Sequence, residues 1–232
     1  MSELEGKVAL VTGARGGLGT WVTESFLKAG AAVAGVSRTI RQSDFPHPAF
    51  VAIEADLSSG ESARRVAGEV VDRFGRIDIL AHVMGGFAGG MPVAETGDPT
   101  LEKMLGLNLW SAFHMARAVI PYMRRQGGGR IVAIGSRAAV EPQALVGAYG
   151  VSKAALVSLM GTIAVENKDA GITANVILSG TMDTPANRAA DPSADFSRWV
   201  PPARIASLIL WLASDAASHV SGARIPVYGR DL

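Results

Sequence analysis

Short apolar runs alternate with longer segments of helical periodicity along the whole chain. Continuous apolar runs predict buried strands near residues 7–12, 31–37, 50–56, 77–84, 130–135, 172–178 and 224–228. Apolar positions that recur every three or four residues predict helices near 18–29, 60–74, 100–126, 149–169 and 202–213. Such alternation favours a parallel sheet with right-handed crossovers and helices on both of its faces.

No repeat or low-complexity linker interrupts this pattern, and residues 1–232 are predicted to form a single α/β domain. A chain of 232 residues is long enough for one sizeable core and short for two. The segment from Thr39 to Pro48 has little helical pattern and is predicted to be a loop.

A glycine-rich turn joins the first predicted strand to the first predicted helix. The segment Gly13-Ala14-Arg15-Gly16-Gly17-Leu18-Gly19 follows the apolar run at once. Glycine lets a backbone approach a pyrophosphate, and a helix N-terminus supplies free N–H groups and a partial positive charge. The order of strand, turn and helix therefore predicts a dinucleotide phosphate site. Alternatively, the glycines serve only a turn with positive φ angles.

Tyr149 and Lys153 are spaced to share one face of a helix. A free phenol has a pKa of about 10, and a nearby ammonium lowers it, which makes a tyrosine useful as a general acid or base. Ser136 ends the apolar run 130–135, so its hydroxyl is expected at the carboxyl end of a parallel strand, where open α/β sheets bind ligands. Alone, the Tyr-x-x-x-Lys spacing also fits an exposed helix surface.

Charge and composition narrow the classes of function. The net charge is 22 − 21 = +1 without a long basic run, which gives a nucleic-acid or membrane-surface partner no electrostatic support. The absence of cysteine excludes disulfides, cysteine nucleophiles and thiolate metal sites, and no metal site is predicted. The polar N-terminal segment and the lack of a run of roughly 18 apolar residues predict a cytoplasmic protein without a membrane span.

Several motifs together resemble the short-chain dehydrogenase/reductase family from about Lys7 to Gly229. They are, in chain order, Thr12-Gly13-x-x-x-Gly17-x-Gly19, Asn108, Ser136, Tyr149 and Lys153. The resemblance implies a Rossmann-like, doubly wound sheet of seven strands in the order 3-2-1-4-5-6-7. It also implies hydride transfer between NAD(P)(H) and a small-molecule ketone or alcohol.

The resemblance further implies roles for the four catalytic candidates. Tyr149 would be the general acid or base, while Lys153 would lower its pKa and hold the nicotinamide ribose. Ser136 would bind the substrate oxygen, and Asn108 would bend its helix and complete a proton relay through water. In relatives the helices that carry Asn108 and Tyr149 pack against another subunit, so a homodimer or homotetramer is expected. Apolar Met160, Ile163 and Val165 support such a face.

Cofactor contacts are expected along the whole chain. The candidates, besides Tyr149 and Lys153, are Gly13, Arg15, Gly17, Leu18, Gly19, Ser37, Arg38, Asp56, Leu57, Gly85, Gly180, Thr181 and Thr184. Relatives that prefer NAD have an acidic residue where this chain has Ser37. A guanidinium binds phosphate in a fork geometry, so Arg15 and Arg38 could hold the 2′-phosphate of NADP. These residues favour NADP as the cofactor, and NAD is the alternative. Alternatively, both arginines are solvated surface residues.

Three of these positions have open assignments. Asp56 matches the residue that contacts adenine in the family, or else Asp56 or Ser58 caps the helix that starts near Gly60. Thr184 fits the residue that binds the nicotinamide carboxamide, and Thr181 is the alternative.

The chain departs from the family at the end of its fourth strand and in its lid. Relatives have Asn-Asn-Ala-Gly where this chain has His82-Val83-Met84-Gly85. His82 is either a proton donor or, as the favoured interpretation, a core histidine bonded to backbone. Residues 85–92 are predicted to be a mobile loop whose Phe87 or Met91 touches substrate. The segment near 186–202, which is predicted to cover the substrate as a lid, is short. The alternative function is therefore a nucleotide-binding sensor or scaffold with little turnover.

Overall fold

Seven strands form one fully parallel sheet within residues 3–230, which the computed structural model describes. The strands are β1 (Val8–Thr12), β2 (Ala32–Ser37), β3 (Phe50–Glu54), β4 (Ile79–His82), β5 (Gly129–Ser136), β6 (Ile172–Ser179) and β7 (Arg224–Val227). Their order in the sheet, β3-β2-β1-β4-β5-β6-β7, confirms the expected fold class. The order reverses between β1 and β4, and ligands of open α/β sheets bind at such a point.

Helices cover both faces of the sheet. They are α1 (Gly19–Lys28), α2 (Gly60–Phe74), α3 (Asp98–Leu105), α4 (Ser111–Arg125), α5 (Gly147–Glu166), α6 (Pro185–Ala190) and α7 (Pro202–Ala213). The buried residues of α1 and α7 form one core cluster with one face of the sheet. Those of α2, α4 and α5 form a second cluster on the opposite face. Because both faces are covered, strands such as β1 and β6 are buried along their full length.

The N-terminus of α2 is capped by a residue that the sequence analysis did not choose. Ser59, not Asp56 or Ser58, accepts a hydrogen bond from the backbone N–H of Ser62. Asp56 instead accepts from the N–H of Ser58 at 2.9 Å, which tightens the turn before the helix. The expected cap is therefore wrong by one residue, since three polar candidates, Asp56, Ser58 and Ser59, fall close to the helix start.

The single helix expected near 100–126 contains a break. A π-turn, Gly106–Trp110, separates α3 from α4 and takes in Asn108. The π-turn falls at the asparagine where the family resemblance implied a local bend. π-turns insert an extra residue into a helix and are frequent at functional sites.

Helix α5 is the long apolar helix that carries Tyr149 and Lys153. By length and mean hydropathy alone this helix could cross a membrane, a test that core helices also pass. It packs on β5 and β6 within the core, with the charged Lys153 buried. Met160 and Ile163 also lie in this core and do not form the expected second apolar face, whereas Val165 is 70% exposed.

The segment from Thr39 to Pro48 is a loop with a short 3₁₀ turn, Gln42–Asp44, so this prediction is confirmed.

Candidate active site

A cleft of about 1320 Å³ opens at the carboxyl ends of the central strands. It runs from the glycine turn after β1 to Tyr149 on α5. The expected site residues that line it are Gly13, Arg15, Gly17, Leu18, Gly19, Ser37, Arg38, Leu57, Gly85, Ser136, Tyr149, Lys153, Gly180, Thr181 and Thr184. Two candidates do not line it: Asp56 is exposed beside the cleft, and Asn108 is buried behind it.

The glycine turn is packed too closely to accept side chains. A Cβ on Gly13 would lie 3.0 Å from the Met84 backbone, and one on Gly17 would lie 2.9 Å from the Cγ2 of Thr184. A Cβ on Gly19 would collide with the carbonyl group of Gly13. Gly13 also has a φ of +67°, which only glycine adopts readily. The bare backbone at the start of α1 leaves a cradle that fits the pyrophosphate of a dinucleotide.

Two arginines border the cleft at the end of β2. Arg15 Nη1 donates to Thr39 Oγ1 at 3.1 Å, and Arg15 Nε lies 3.4 Å from Asp44 Oδ2. Asp44 is itself held by the backbone N–H of Arg41 at 2.8 Å. Arg38 is exposed at the same end of the cleft. Arg15 is thus exposed to solvent but held by Thr39 and Asp44 above the end of β2.

The other end of the cleft is formed by β5 and α5. Ser136 is the last residue of β5, and its Oγ accepts a hydrogen bond from the Ala138 N–H at 3.2 Å. Lys153 Nζ donates to the carbonyl oxygen of Ile134 at 2.7 Å and lies 6.0 Å from the centroid of the Tyr149 ring. The structure thus brings Ser136, Tyr149 and Lys153 to one wall of the cleft, one helical turn separating the last two.

Burial dominates the proton affinities of these groups. It raises the pKa of Tyr149 above its usual value, and a hydrogen bond with Ser136 opposes that rise. It lowers the pKa of Lys153 to about 8. The expected lowering of the Tyr149 pKa by Lys153 is therefore not found, because the ammonium is directed to the Ile134 carbonyl and desolvation of the phenol has the larger effect.

Asn108 joins the π-turn to the wall of the cleft. Its Oδ1 accepts from the Gly86 N–H at 2.9 Å, while its Nδ2 donates to the Gly86 carbonyl at 3.0 Å and to Ser152 Oγ at 2.9 Å. A Cβ on Gly85 would lie 2.8 Å from Asn108 Oδ1 and 3.2 Å from Lys153 Nζ. The amide is satisfied by backbone and by a side chain, directly behind the glycine that faces the cleft.

His82 lies in the core and its ring does not line the cleft. Its partners are the hydroxyls of Thr12 and Ser111 and not the backbone, which corrects the favoured sequence interpretation. Burial, and then the charge of Lys153, lower the pKa of His82 to about 3. An imidazole with this pKa, buried behind the wall of the cleft, does not act as a proton donor to substrate.

One aromatic residue, Phe87, contacts Tyr149. Phe87 is 66% exposed and presents its ring edge-on to Tyr149, with centroids 5.0 Å apart. Met91, the alternative substrate contact, does not line the cleft. The lid residue Trp199 lines it, beside α6, whose N-terminus is capped by Thr184 Oγ1.

A further wall of the cleft was not predicted from the sequence. The guanidinium of Arg137 lies 5.1 Å from the ring centroid of Tyr228, and its Nε bonds Glu141 at 2.5 Å. Both Arg137 and Tyr228 line the cleft. Arg137 directly follows Ser136 in the sequence, and this neighbour could have indicated that Arg137 lines the cleft. Tyr228 lies at the cleft only because β7 pairs with β6.

The chain is similar in sequence and in fold to known proteins over nearly its whole length. Residues 7–195 match the family described as short chain dehydrogenase. The chain is 33% identical to the short chain dehydrogenase/reductase astE of Aspergillus oryzae, over 97% of this chain and 94% of that protein. It is 31% identical to the 2,3-dihydro-2,3-dihydroxybenzoate dehydrogenase of Escherichia coli, over 98% and 97% of the two chains. A short-chain type dehydrogenase/reductase from Mycobacterium ulcerans superposes with a TM-score of 0.92 and 27% identity, covering 98% of this chain and 90% of that one.

Proposed function

Because this chain belongs to the short-chain dehydrogenase/reductase family, we propose that it is an NADP(H)-dependent oxidoreductase acting on a ketone/alcohol pair, with Tyr149 as general acid or base. The observation that carries this proposal is the convergence of Ser136, Tyr149 and Lys153 at one end of a cleft whose other end is the glycine turn. A site for proton exchange and a cradle for a dinucleotide are thus joined in one cleft.

The cradle at the glycine turn and the two arginines support the choice of cofactor. Gly13, Gly17 and Gly19 would hold the pyrophosphate against the start of α1, because none of them has room for a side chain. Arg15 and Arg38 would bind the 2′-phosphate of NADP, and Ser37 presents no carboxylate to repel it. When bound, the nicotinamide cofactor supplies or accepts the hydride, which no side chain of this chain can do.

The proton steps belong to the residues of the chain itself. Tyr149 donates its phenolic proton to the developing alkoxide during reduction and removes the alcohol proton during oxidation. Ser136 orients the substrate oxygen toward the phenol by hydrogen bonding, and the ammonium of Lys153 provides positive charge beside it. Asn108 fixes Gly86 and Ser152 behind these groups and would order the water of a proton relay. General acid–base catalysis of this type contributes about 10²–10⁴ in rate.

Tyr149→Phe tests the catalytic assignment. The variant keeps the ring and removes the proton, so turnover is expected to fall by about 10²–10⁴ while NADPH still binds. Tyr122→Phe is the matched control, because Tyr122 lies on α4 outside the cleft and should retain full activity. The assay is steady-state oxidation of NADPH with a panel of ketones and quinones.

Turnover that survives in Tyr149→Phe refutes the assignment. If the wild-type protein binds NADPH but none of the carbonyl compounds causes NADPH to be oxidised, the result supports the alternative of a nucleotide-binding sensor or scaffold.

The preference for NADP is tested by thermal shift. We expect NADPH to raise the melting temperature more than NADH, since only NADPH has the phosphate that Arg15 and Arg38 would bind. Substitution of both arginines by alanine should weaken NADPH binding by about tenfold or more and leave NADH binding nearly unchanged. Arg204→Ala, on α7 and outside the cleft, is the control for loss of an arginine elsewhere on the surface. A larger shift with NADH contradicts the preference.

We also propose that the protein forms a homodimer or homotetramer through α3 and α4, which flank the π-turn, and α5, which carries Tyr149. Trp110 is 50% exposed at the end of this turn, and Val151 and Val165 are exposed on α5. Val151 and Val165 are 14 residues apart, about four helical turns, and therefore share one side of α5.

A further inference from the structure

His82 joins three elements of the core through its two ring nitrogens. Its Nδ1 lies 3.1 Å from Thr12 Oγ1 at the end of β1, and its Nε2 lies 3.2 Å from Ser111 Oγ at the start of α4. All three side chains are buried. The imidazole thus spans the space between the sheet and the helix that follows the π-turn.

The remaining contacts fix the direction of each hydrogen bond. Ser111 Oγ donates its only proton to the carbonyl oxygen of Leu107 at 2.7 Å, so it must accept a proton from His82. Nε2 therefore carries the hydrogen. In a neutral imidazole Nδ1 is then an acceptor, and Thr12 Oγ1 donates to it. Thr12 Oγ1 in turn accepts from the Met84 N–H at 3.2 Å.

The result is a series of hydrogen bonds that all point the same way. It runs from the Met84 N–H through Thr12, His82 and Ser111 to the Leu107 carbonyl oxygen. Met84 and Leu107 both line the cleft. The two glycines after Met84 contact Asn108, which follows Leu107. The buried hydrogen bonds therefore link the segment after β4 to the π-turn, the same two segments that Asn108 joins at the cleft.

We propose that His82 is a positioning residue, whose neutral Nε2–H imidazole holds the segment after β4 at a fixed distance from the π-turn and thereby sets the place of Gly85 and Asn108 at the reacting end of the cleft. Its rigid ring offers one donor and one acceptor in fixed directions. This bridge explains how the sequence His82-Val83-Met84-Gly85 stabilises the end of β4 through side chains of other elements.

The neutral state of the ring also suits its surroundings. Lys153 is the charged group whose field acts on His82, and burial alone already lowers the histidine pKa. A protonated ring would place a second positive charge near the buried ammonium. The bridge is thus expected to stay neutral over the range in which proteins function.

NMR of the wild-type protein with ¹⁵N-labelled histidine tests the bridge without reference to activity. One histidine should show the Nε2–H tautomer and should not titrate from about pH 5 to 9, and its signals should disappear in His82→Asn. An Nδ1–H tautomer, or titration within that range, would overturn the proposal.

Variants separate positioning from stability alone. In His82→Asn the side-chain amide has an acceptor near the position of Nδ1, and in His82→Gln it has a donor near the position of Nε2. Phenylalanine has neither a donor nor an acceptor. We expect His82→Phe to lower kcat about tenfold or more at a temperature where the variant is fully folded, since misplacement by about 1 Å can reduce rates by 10²-fold. His82→Asn and His82→Gln should lie between it and the wild type. His219→Gln, at an exposed site, is the control.

Coupling completes the test. If Ser111 acts through His82, adding Ser111→Ala to His82→Asn should lower kcat no further than His82→Asn alone does. Folded variants with lower melting temperatures but wild-type kcat and KM would show that the bridge is only structural. This kinetic arm rests on the proposed function; should the wild type have no turnover, that function fails, while the NMR tautomer still decides the bridge.

Discussion

At the scale of single residues, Lys153 shows how burial and chemistry oppose each other. Its side chain is almost fully buried, and its Nζ donates to a carbonyl oxygen of β5. Carrying a charge there is unfavourable, which is why burial lowers its pKa to about 8 from the usual 10.5. The site keeps a cation beside Tyr149 at neutral pH at some expense of stability.

This opposition predicts how stability varies with pH. The pKa of Lys153 is lower in the folded state, so between about pH 8 and 10.5 the unfolded chain binds more protons and the free energy of unfolding should rise with pH. Relative to Lys153→Met, the wild type should gain on the order of 3 kcal/mol across this range. Urea unfolding of the cofactor-free proteins at several pH values measures the difference.

The exposed Lys168 provides the control for that experiment. Lys168→Met should keep the pH dependence of the wild type. If the wild type and Lys153→Met give parallel curves from pH 8 to 10.5, Lys153 does not carry the shifted proton.

Residue chemistry was only partly predictable from the sequence. Ser136, Tyr149 and Lys153 could be predicted to lie together because their spacing and strand context are local, and they line one wall of the cleft. The partners of His82 were not, since Thr12 and Ser111 are 70 and 29 positions away along the chain and only the sheet order brings them together. The sign of the Tyr149 pKa shift was also missed, because the degree of burial is a property of the folded cleft.

At the scale of elements, sequence periodicity predicted where strands and helices occur better than where they end. Strands buried on both faces are continuous apolar runs, so all seven were located. The π-turn at Gly106–Trp110 was not visible in the apolar pattern, because one extra residue shifts the helical phase without changing composition. Helix ends depend on single hydrogen bonds, and the cap of α2 was therefore misplaced by one residue.

The cap gives a prediction with a neighbouring control. Ser59→Ala removes the acceptor for the Ser62 N–H, and the free energy of unfolding should fall by about 1 kcal/mol. Ser58→Ala, one position earlier and exposed, should have little effect. Urea denaturation of the two variants measures both values. Equal losses in the two would mean that Ser59 does not cap the helix in solution.

At the scale of the whole molecule, α5 connects the cleft with an exposed apolar surface. The site lies at the carboxyl end of the sheet, while the exposed apolar residues Val151 and Val165 lie on a helix that also carries Tyr149 and Lys153. A subunit packed on that side of α5 would therefore restrain the helix that positions the catalytic groups, and assembly and activity would be coupled.

Val165→Glu tests whether α5 lies in the proposed interface. A charge in place of a side chain that is 70% exposed should leave the subunit folded, but it would have to be desolvated in an interface between subunits. We expect sedimentation velocity to show a wild-type dimer or tetramer and a largely monomeric variant. Val93→Glu, at a residue that is 76% exposed and lies outside α4 and α5, should keep the wild-type assembly. A wild-type monomer, or a variant that assembles as the wild type does, removes α5 from the proposed interface, because a buried glutamate without a partner would not be tolerated there.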